Sequence, residues 1–214
     1  MTNKTALVIG ATGLIGRHLV DELIASAYFT HIITLTRKPL LIDSAKFDNH
    51  VVDFECLKDY SNLFSAGVLF SCLGTTKKQV GSIEAQRRVD LDYQYNAAMI
   101  ARQQGISEYF LVSSSGASAK SPSAYLKMKG QLEDKILALD FPRSVIFRPS
   151  LLLGKRTLPR FGEDIAARVM PLLQYIPLLK IYRPITGQQV AAKMATVAIG
   201  KGSGQESYTL DQIF

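Results

Sequence analysis

Short apolar runs alternate with amphipathic stretches along most of this chain. Residues 6–9 are apolar and break into Gly10-Ala11-Thr12-Gly13-Leu14-Ile15-Gly16. Leu14, Ile15, Leu19, Leu23 and Ile24 then recur at helical spacing, with Arg17, His18, Asp21 and Glu22 between them. The pattern predicts strand, tight turn, helix. Further strand-like runs occupy 31–36 (HIITLT), 50–54 (HVVDF), 67–74 (GVLFSCLG), 109–112 (YFLV) and 144–147. The run at 67–74 is apolar almost throughout, as a strand buried on both faces of a parallel sheet should be. Helices are predicted over 83–104, with Val89, Tyr93, Ala97 and Ile100 facing inward and Gly105 as the stop, and over 123–139.

Strands alternating with helices call for right-handed crossovers, so the expected class is α/β: a Rossmann-like, doubly wound parallel sheet with helices on both faces. Past Pro149 the rhythm changes. Leu151-Leu152-Leu153-Gly154 leads into a basic stretch at 155–160, an amphipathic helix around 164–173, a helix over 188–199 and a last edge strand at 206–210. That is too little for an independent domain. A single domain over 1–214 is expected, with 1–150 as its core and 151–214 as a short C-terminal extension folded over the sheet's carboxyl edge to wall a substrate cleft.

Composition narrows the function class. The two cysteines among 214 residues, Cys56 and Cys72, give neither a disulfide framework nor a metal pattern, which points to a reducing compartment. The chain enters its first strand almost at once with no visible targeting signal, so a cytoplasmic location is expected. The apolar stretch 169–179 is interrupted by Pro171, Gln174 and Pro177 and is far shorter than the roughly 20 residues of a membrane span. It reads as a lid or a subunit contact, leaving a protein partner or a homodimer as expectations. Net charge is +7, but the basic residues fall in pairs such as Lys77-Lys78 and Arg87-Arg88, without a basic run, so nucleic acid is not expected as a partner. A small polyanionic ligand accounts for some of the excess.

The opening turn suits such a ligand. Its spacing, G-x-x-G-x-x-G, is a variant of the dinucleotide-binding fingerprint, in which the glycines permit a sharp turn and close approach of backbone, and the helix amino end faces a pyrophosphate. The second strand ends in Arg37-Lys38, where a carboxylate would bind a ribose 2′-hydroxyl and a cation accommodates a 2′-phosphate; NADP(H) is therefore expected over NAD(H). Asp53, at the end of the third run, is placed to meet an adenine edge, and the loop Gly74-Thr75-Thr76 follows a strand's carboxyl end, where ligands of open α/β sheets sit. Tyr125 and Lys129, four apart on a predicted helix, share one face. An ammonium beside a phenol favours phenolate, which makes a tyrosine usable as a general acid or base. Ser114 and Ser115, in the loop before that helix, are candidates to bond the same substrate oxygen.

GATGLIG, the serines, Tyr125-x-x-x-Lys129 and Arg148-Pro149 together resemble the short-chain dehydrogenase/reductase superfamily in its extended or atypical branch. VVDFECLKDY, SCLGTTKK, RVDLDY, SSSGAS, YLKMKG and FRPSLLLGKR are similar to the small NADPH-binding oxidoreductases typified by the mammalian Tat-interacting protein, and to their bacterial relatives. The resemblance runs from Ala6 to about Arg156. It implies that Tyr125 is the proton acceptor and donor, that Lys129 assists it and holds the nicotinamide ribose, and that Gly10, Thr12, Gly13, Leu14, Ile15 and Gly16 cradle the pyrophosphate. Arg37 would meet the 2′-phosphate, Asp53 and Phe54 would flank adenine, Leu73 and Gly74 would line the middle of the cofactor, and Arg148 and Arg156 would lie near it. Ser115 is favoured as the catalytic serine, with Ser114 next. Where many extended members carry asparagine at the head of the fourth helix, this chain has Asp90.

The expected function is an NADP(H)-dependent oxidoreductase acting on a small carbonyl or alcohol substrate. The alternative is an NADPH-binding regulatory or scaffold protein with little turnover. A sugar-nucleotide epimerase is disfavoured, because extended epimerases usually bring a larger C-terminal domain.

Overall fold

Nine strands and six α-helices are built from residues 4–153 and 183–214, the part of the chain that this computed structural model describes. The expectations for 155–160, 164–173 and 169–179, and for Arg156, fall outside the described residues. Seven strands form one parallel sheet: β1 (Lys4–Ile9), β2 (Phe29–Thr36), β3 (Phe47–Val51), β4 (Val68–Ser71), β5 (Glu108–Val112), β6 (Arg143–Arg148) and β9 (Gly204–Thr209). Their spatial order is β3-β2-β1-β4-β5-β6-β9, and every neighbouring pair is parallel. This is the expected Rossmann-like α/β sheet, its order reversing between β1 and β4. A separate two-stranded parallel pair joins β7 (Leu152–Leu153) to β8 (Ile185–Thr186).

Alternation along the strands sorts side chains between two layers. Ala6 and Val8 of β1, with Phe70 and Phe110, face α1 (Gly16–Ala25) and α6 (Gly187–Ile199), where Leu19, Leu23, Val190 and Met194 complete one core. Leu7 and Ile9, with Leu69 and Leu111, face the opposite layer, where Ala97 and Ala101 of α4 (Tyr93–Gln103) and Leu132 and Ile136 of α5 (Ala124–Leu137) close the second. An aromatic row crosses the sheet: Phe70, Phe110, Phe147 and Tyr208 follow one another at centroid separations of 5.0, 6.1 and 5.3 Å.

Two elements differ from expectation. The third strand lies at Phe47–Val51, earlier than 50–54; on the sheet edge, FDNHV satisfies its backbone against β2 without an apolar face, and the more apolar Val52 and Phe54 are buried after the strand has ended. The predicted helix 83–104 is interrupted: α3 (Ile83–Arg87) runs into a π-helical turn at Arg88–Asp92 before α4. One extra residue in a turn advances the helical phase, so Asp90, Leu91 and Gln94 become buried, whereas Val89 and Tyr93 are only partly so. The edge strand expected at 206–210 is present at Gly204–Thr209, pairing with β6. Among the described residues no helix is long and apolar enough to cross a membrane.

Candidate active site

The carboxyl ends of β1, β4 and β5 open into a cavity of about 270 Å³. One wall is the turn after β1: Thr12, Gly13, Leu14 and Ile15, with Arg17 from the first turn of α1. Gly10 makes the turn possible. It adopts φ +81°, and a Cβ there would lie 2.5 Å from the Cys72 carbonyl carbon, so the loop can pass β4 only with no side chain. Gly16 packs helix on turn, its added Cβ falling 2.1 Å from the Gly10 oxygen. Of the three expected cradle glycines, Gly13 alone lines the cavity; Gly10 and Gly16 shape the loop from behind.

Those residues fit a pyrophosphate. Helix α1 has ten residues, no acidic side chain in its first turn and no side chain capping it, while Arg17 adds a cation. The amino end of the helix therefore meets the cavity with positive charge.

The second wall is Cys72, Leu73 and Gly74 from the end of β4, together with Gln79. Thr75 follows, its amide donating to Asp90 Oδ2 at 3.1 Å and its carbonyl accepting from Gln86 Nε2 at 3.3 Å. Burial pushes the Cys72 thiol up to about 12, against a smaller lowering by Lys129, so it stands there as a neutral group.

Val112, Ser113, Tyr125 and Lys129 form the third wall, with Leu152 beside them. Tyr125 occupies the first turn of α5 and is half-buried; Lys129, one turn on, is buried. The Lys129 ammonium donates to the Val112 carbonyl at 3.1 Å and lies 3.7 Å from Asp90 Oδ1. The structure brings the phenol, the ammonium and the glycine turn to one cavity.

The serine order differs from expectation. Ser113 lines the cavity, with its Oγ buried and lacking a hydrogen-bond partner among the described residues. Ser114 and Ser115 are half-buried outside that lining. The ladder explains this: Ser113 N donates to Phe147 O at 2.7 Å, extending β5 by a residue, and Ser115 N donates to Pro149 O at 3.0 Å, which carries the later serines along the continuation of β6.

Other expected positions lie away from the cavity lining. Arg37 and Lys38 are exposed at the carboxyl end of β2. Asn49 fixes the loop that holds them: its amide donates to Thr34 Oγ1 at 2.9 Å and Thr36 Oγ1 at 2.8 Å, and its oxygen accepts from Leu40 N at 2.9 Å. Asp53 is exposed and caps the 3₁₀ segment Phe54–Leu63 by accepting from Glu55 N. The Phe54 ring is turned into the core, 5.6 Å from Tyr93, and presents no open face to an adenine. Arg148 forks onto the buried Glu133, with bonds of 2.6 and 3.0 Å, so that guanidinium is committed to α5; the same bonds raise its pKa.

Sequence reasoning did not place Ser113, Gln79, Arg17 or Leu152 in the site. Ser113 was visible within the serine triplet; Leu152 follows from β7, which no periodicity announced.

Residues 6–136 match the NAD dependent epimerase/dehydratase family. The chain is 34% identical over 215 residues to "Protein FMP52-1, mitochondrial" of Scheffersomyces stipitis, spanning 95% of this chain and 89% of the relative. It is 36% identical over 172 residues to "Protein HTATIP2" of Rattus norvegicus, spanning 78% of this chain and 71% of the relative. Among solved structures, MoeE5 in complex with UDP-glucuronic acid and NAD superposes with a TM-score of 0.73 at 18% identity, covering 96% of this chain and 76% of that one. These relatives correct one expectation. The cytoplasmic location does not stand, because FMP52 relatives from several fungi are named mitochondrial. The expected likeness to extended short-chain dehydrogenases holds: the chain belongs to the NAD dependent epimerase/dehydratase family.

Proposed function

We propose that this chain is an NADP(H)-dependent oxidoreductase that interconverts a small carbonyl compound and its alcohol, with Tyr125 as the general acid and base. The observation that carries the reading is that Tyr125 and Lys129 line the same cavity as the glycine turn. When bound there, the nicotinamide supplies or accepts the hydride.

The chain's own residues do the rest. Thr12, Gly13, Leu14 and Ile15, with the amino end of α1, hold the pyrophosphate. Arg37 and Lys38 hold the 2′-phosphate from the loop braced by Asn49, and Asp53 with the Phe54 backbone meets the adenine. Lys129 sets positive charge beside Tyr125, whose hydroxyl exchanges a proton with the substrate oxygen. Ser113 takes the place expected for Ser115: it lines the cavity with a buried hydroxyl that has no hydrogen-bond partner among the described residues, and it donates to that same oxygen, where a preorganised donor stabilises developing charge. Apolar Leu73, Val112 and Leu152 keep water from the reacting carbon.

The test is paired. NADPH and NADH are titrated by fluorescence against the parent and Arg37→Ala, and aldehydes, ketones and quinones are screened for NADPH oxidation with Tyr125→Phe as control. Preference for NADPH that is lost in Arg37→Ala, together with turnover abolished in Tyr125→Phe, is expected. Equal affinities in the parent overturn the 2′-phosphate assignment, and turnover surviving Tyr125→Phe removes the phenol from the chemistry.

A further inference from the structure

Thr-x-x-Gln sequences open helical segments at Thr76, Thr186 and Thr209. In each, the glutamine oxygen accepts from the threonine amide, at 3.1, 2.9 and 2.9 Å, and from the threonine hydroxyl, at 3.2, 3.1 and 3.1 Å. A capping box of this kind uses the side-chain oxygen and leaves the side-chain nitrogen without a task. Of the three glutamines, Gln79 alone lines the cavity. It belongs to α2 (Lys77–Val80), directly after the Gly74–Thr76 loop, and Thr75 Oγ1 lies 3.3 Å from the same oxygen as a further donor. Those donors settle how the amide is turned. Oε1 faces the two threonines, and Nε2, on the opposite edge of the planar group, has two hydrogens and no partner among the described residues.

The charge around this donor has one sign. The cavity lining carries Arg17 and Lys129, the latter with Asp90 beside it, and among the described lining residues there is no aspartate or glutamate. Lys77 and Lys78, both exposed, precede Gln79 on the same short helix. An anionic oxygen is the acceptor such surroundings favour, since a charge-assisted hydrogen bond is roughly twice as strong as a neutral one. We propose that Gln79 determines substrate specificity: Nε2 donates to a carboxylate carried by the substrate, so the compound reduced is an oxo acid whose carbonyl oxygen meets Tyr125 and Ser113. The inference rests on the oxidoreductase reading and names its substrate class. Gln79 moves no proton or hydride; it fixes which end of the molecule enters first.

The experiment uses straight-chain oxo acids of increasing length, each beside its methyl ester and the matching ketone, as substrates for NADPH oxidation. The parent is expected to reduce one of the acids with kcat/KM at least tenfold above its ester and ketone, because loss of one hydrogen bond to a charged group corresponds to roughly a 10- to 100-fold change. Gln79→Glu is the informative variant: glutamate closes a capping box as glutamine does, so the thermal midpoint should hold, while the donor becomes a negative charge. In it the preference for the acid should vanish, chiefly through KM. Gln79→Met removes the donor without adding charge and should lower the same ratio, which also covers the case in which Gln79→Glu does not fold. Gln212→Glu makes the identical exchange in the box at Thr209 and should keep the ratio of the parent. Acids, esters and ketones reduced alike by the parent, or an acid preference that survives Gln79→Glu and Gln79→Met, overturn the inference. If the parent reduces no carbonyl compound, the oxidoreductase reading fails instead. Calorimetric titration of the acids into the NADP-loaded protein still reads the contact: binding by the parent that both Gln79 variants lose supports it, and no binding, or equal binding by all, overturns it.

Discussion

Gly187 packs against Leu14 so closely that a Cβ added to it would lie 2.4 Å from the Leu14 carbonyl oxygen. Gly187 opens α6, whose entry is set by Thr186 and Gln189 capping each other, and Leu14 belongs to the turn lining the cavity. A helix from the far end of the chain therefore buttresses the proposed cofactor loop. Gly187→Ala must push that loop or the helix aside. We expect NADPH affinity to fall about tenfold, the size of one strained or misplaced contact. Gly200→Ala, where the nearest atom lies at 3.4 Å, is the control. Equal affinities in the two variants would separate α6 from the loop.

Gly130 makes a comparable approach on the other layer. Its added Cβ would sit 2.2 Å from backbone atoms of Ser118 and Ala119, so α5 lies directly on the loop that follows the serines. Gly130→Ala shifts a helix carrying Tyr125 and Lys129. Overpacking of this kind costs about 1–3 kcal/mol. Chemical denaturation should show that loss, and turnover should drop further than the lost stability explains. Unchanged turnover would mean that the helix tolerates the displacement.

The two cysteines should behave as different chemical species. Cys56 is exposed, whereas burial lifts Cys72 from 9.0 to about 12. Because Cys56 is open to reagent and the Cys72 thiol is held protonated by its surroundings, alkylation around neutral pH should label Cys56 and spare Cys72 until the protein unfolds. The same difference sets a pH slope. The folded state holds the Cys72 proton above the pH at which the unfolded chain releases it, so this stabilising contribution is complete below 9.0 and lost as pH rises toward 12. Tyr93, lifted from 10.0 to about 12 chiefly by burial and then by Glu55, acts in the same direction slightly higher. Urea midpoints should therefore decline through this alkaline window. A flat profile there, or equal labelling of both thiols, contradicts the assignment.

What could be read from the chain and what could not divides along a physical line. The β1–turn–α1 unit was legible because its signals are local: an apolar strand, glycines at fixed offsets and an amphipathic helix within 25 residues. Tyr125 and Lys129 were legible because their four-residue spacing survives in any α-helix. Asp90 and Gln94 were recognisable as residues but not as buried ones, because a π turn shifts the helical phase without leaving a mark in polarity. The third strand was misplaced because an edge strand draws its stability from backbone bonding, and periodicity does not report that. Among the serines, the choice depended on how far β5 pairs with β6, a long-range fact.

Stability and function should separate at Arg143. This residue begins β6, at the amino ends of the strands and so opposite the cavity at their carboxyl ends. Its guanidinium is buried and fully engaged: Nε donates to Glu206 Oε1 at 2.8 Å, Nη1 to Gly200 O and Nη2 to Val197 O, each at 3.0 Å, with Glu108 at 3.6 Å. Those partners belong to β9, to the end of α6 and to β5, so one side chain ties the C-terminal elements to the central sheet. Arg143→Met takes the guanidinium from Glu206, leaves Glu108 with Lys4, and strips two helix-end carbonyls of their donor. Removing one member of a buried ionic cluster costs about 3–5 kcal/mol, so the thermal midpoint should fall by many degrees. NADPH affinity, measured below the new midpoint, should stay within a factor of two or so, because sites this far apart with no shared partner are nearly additive. A variant that melts early yet binds as the parent does places Arg143 in the architecture alone; one that loses NADPH at temperatures where it is still folded would show that the amino-end clamp reaches the cavity through α6.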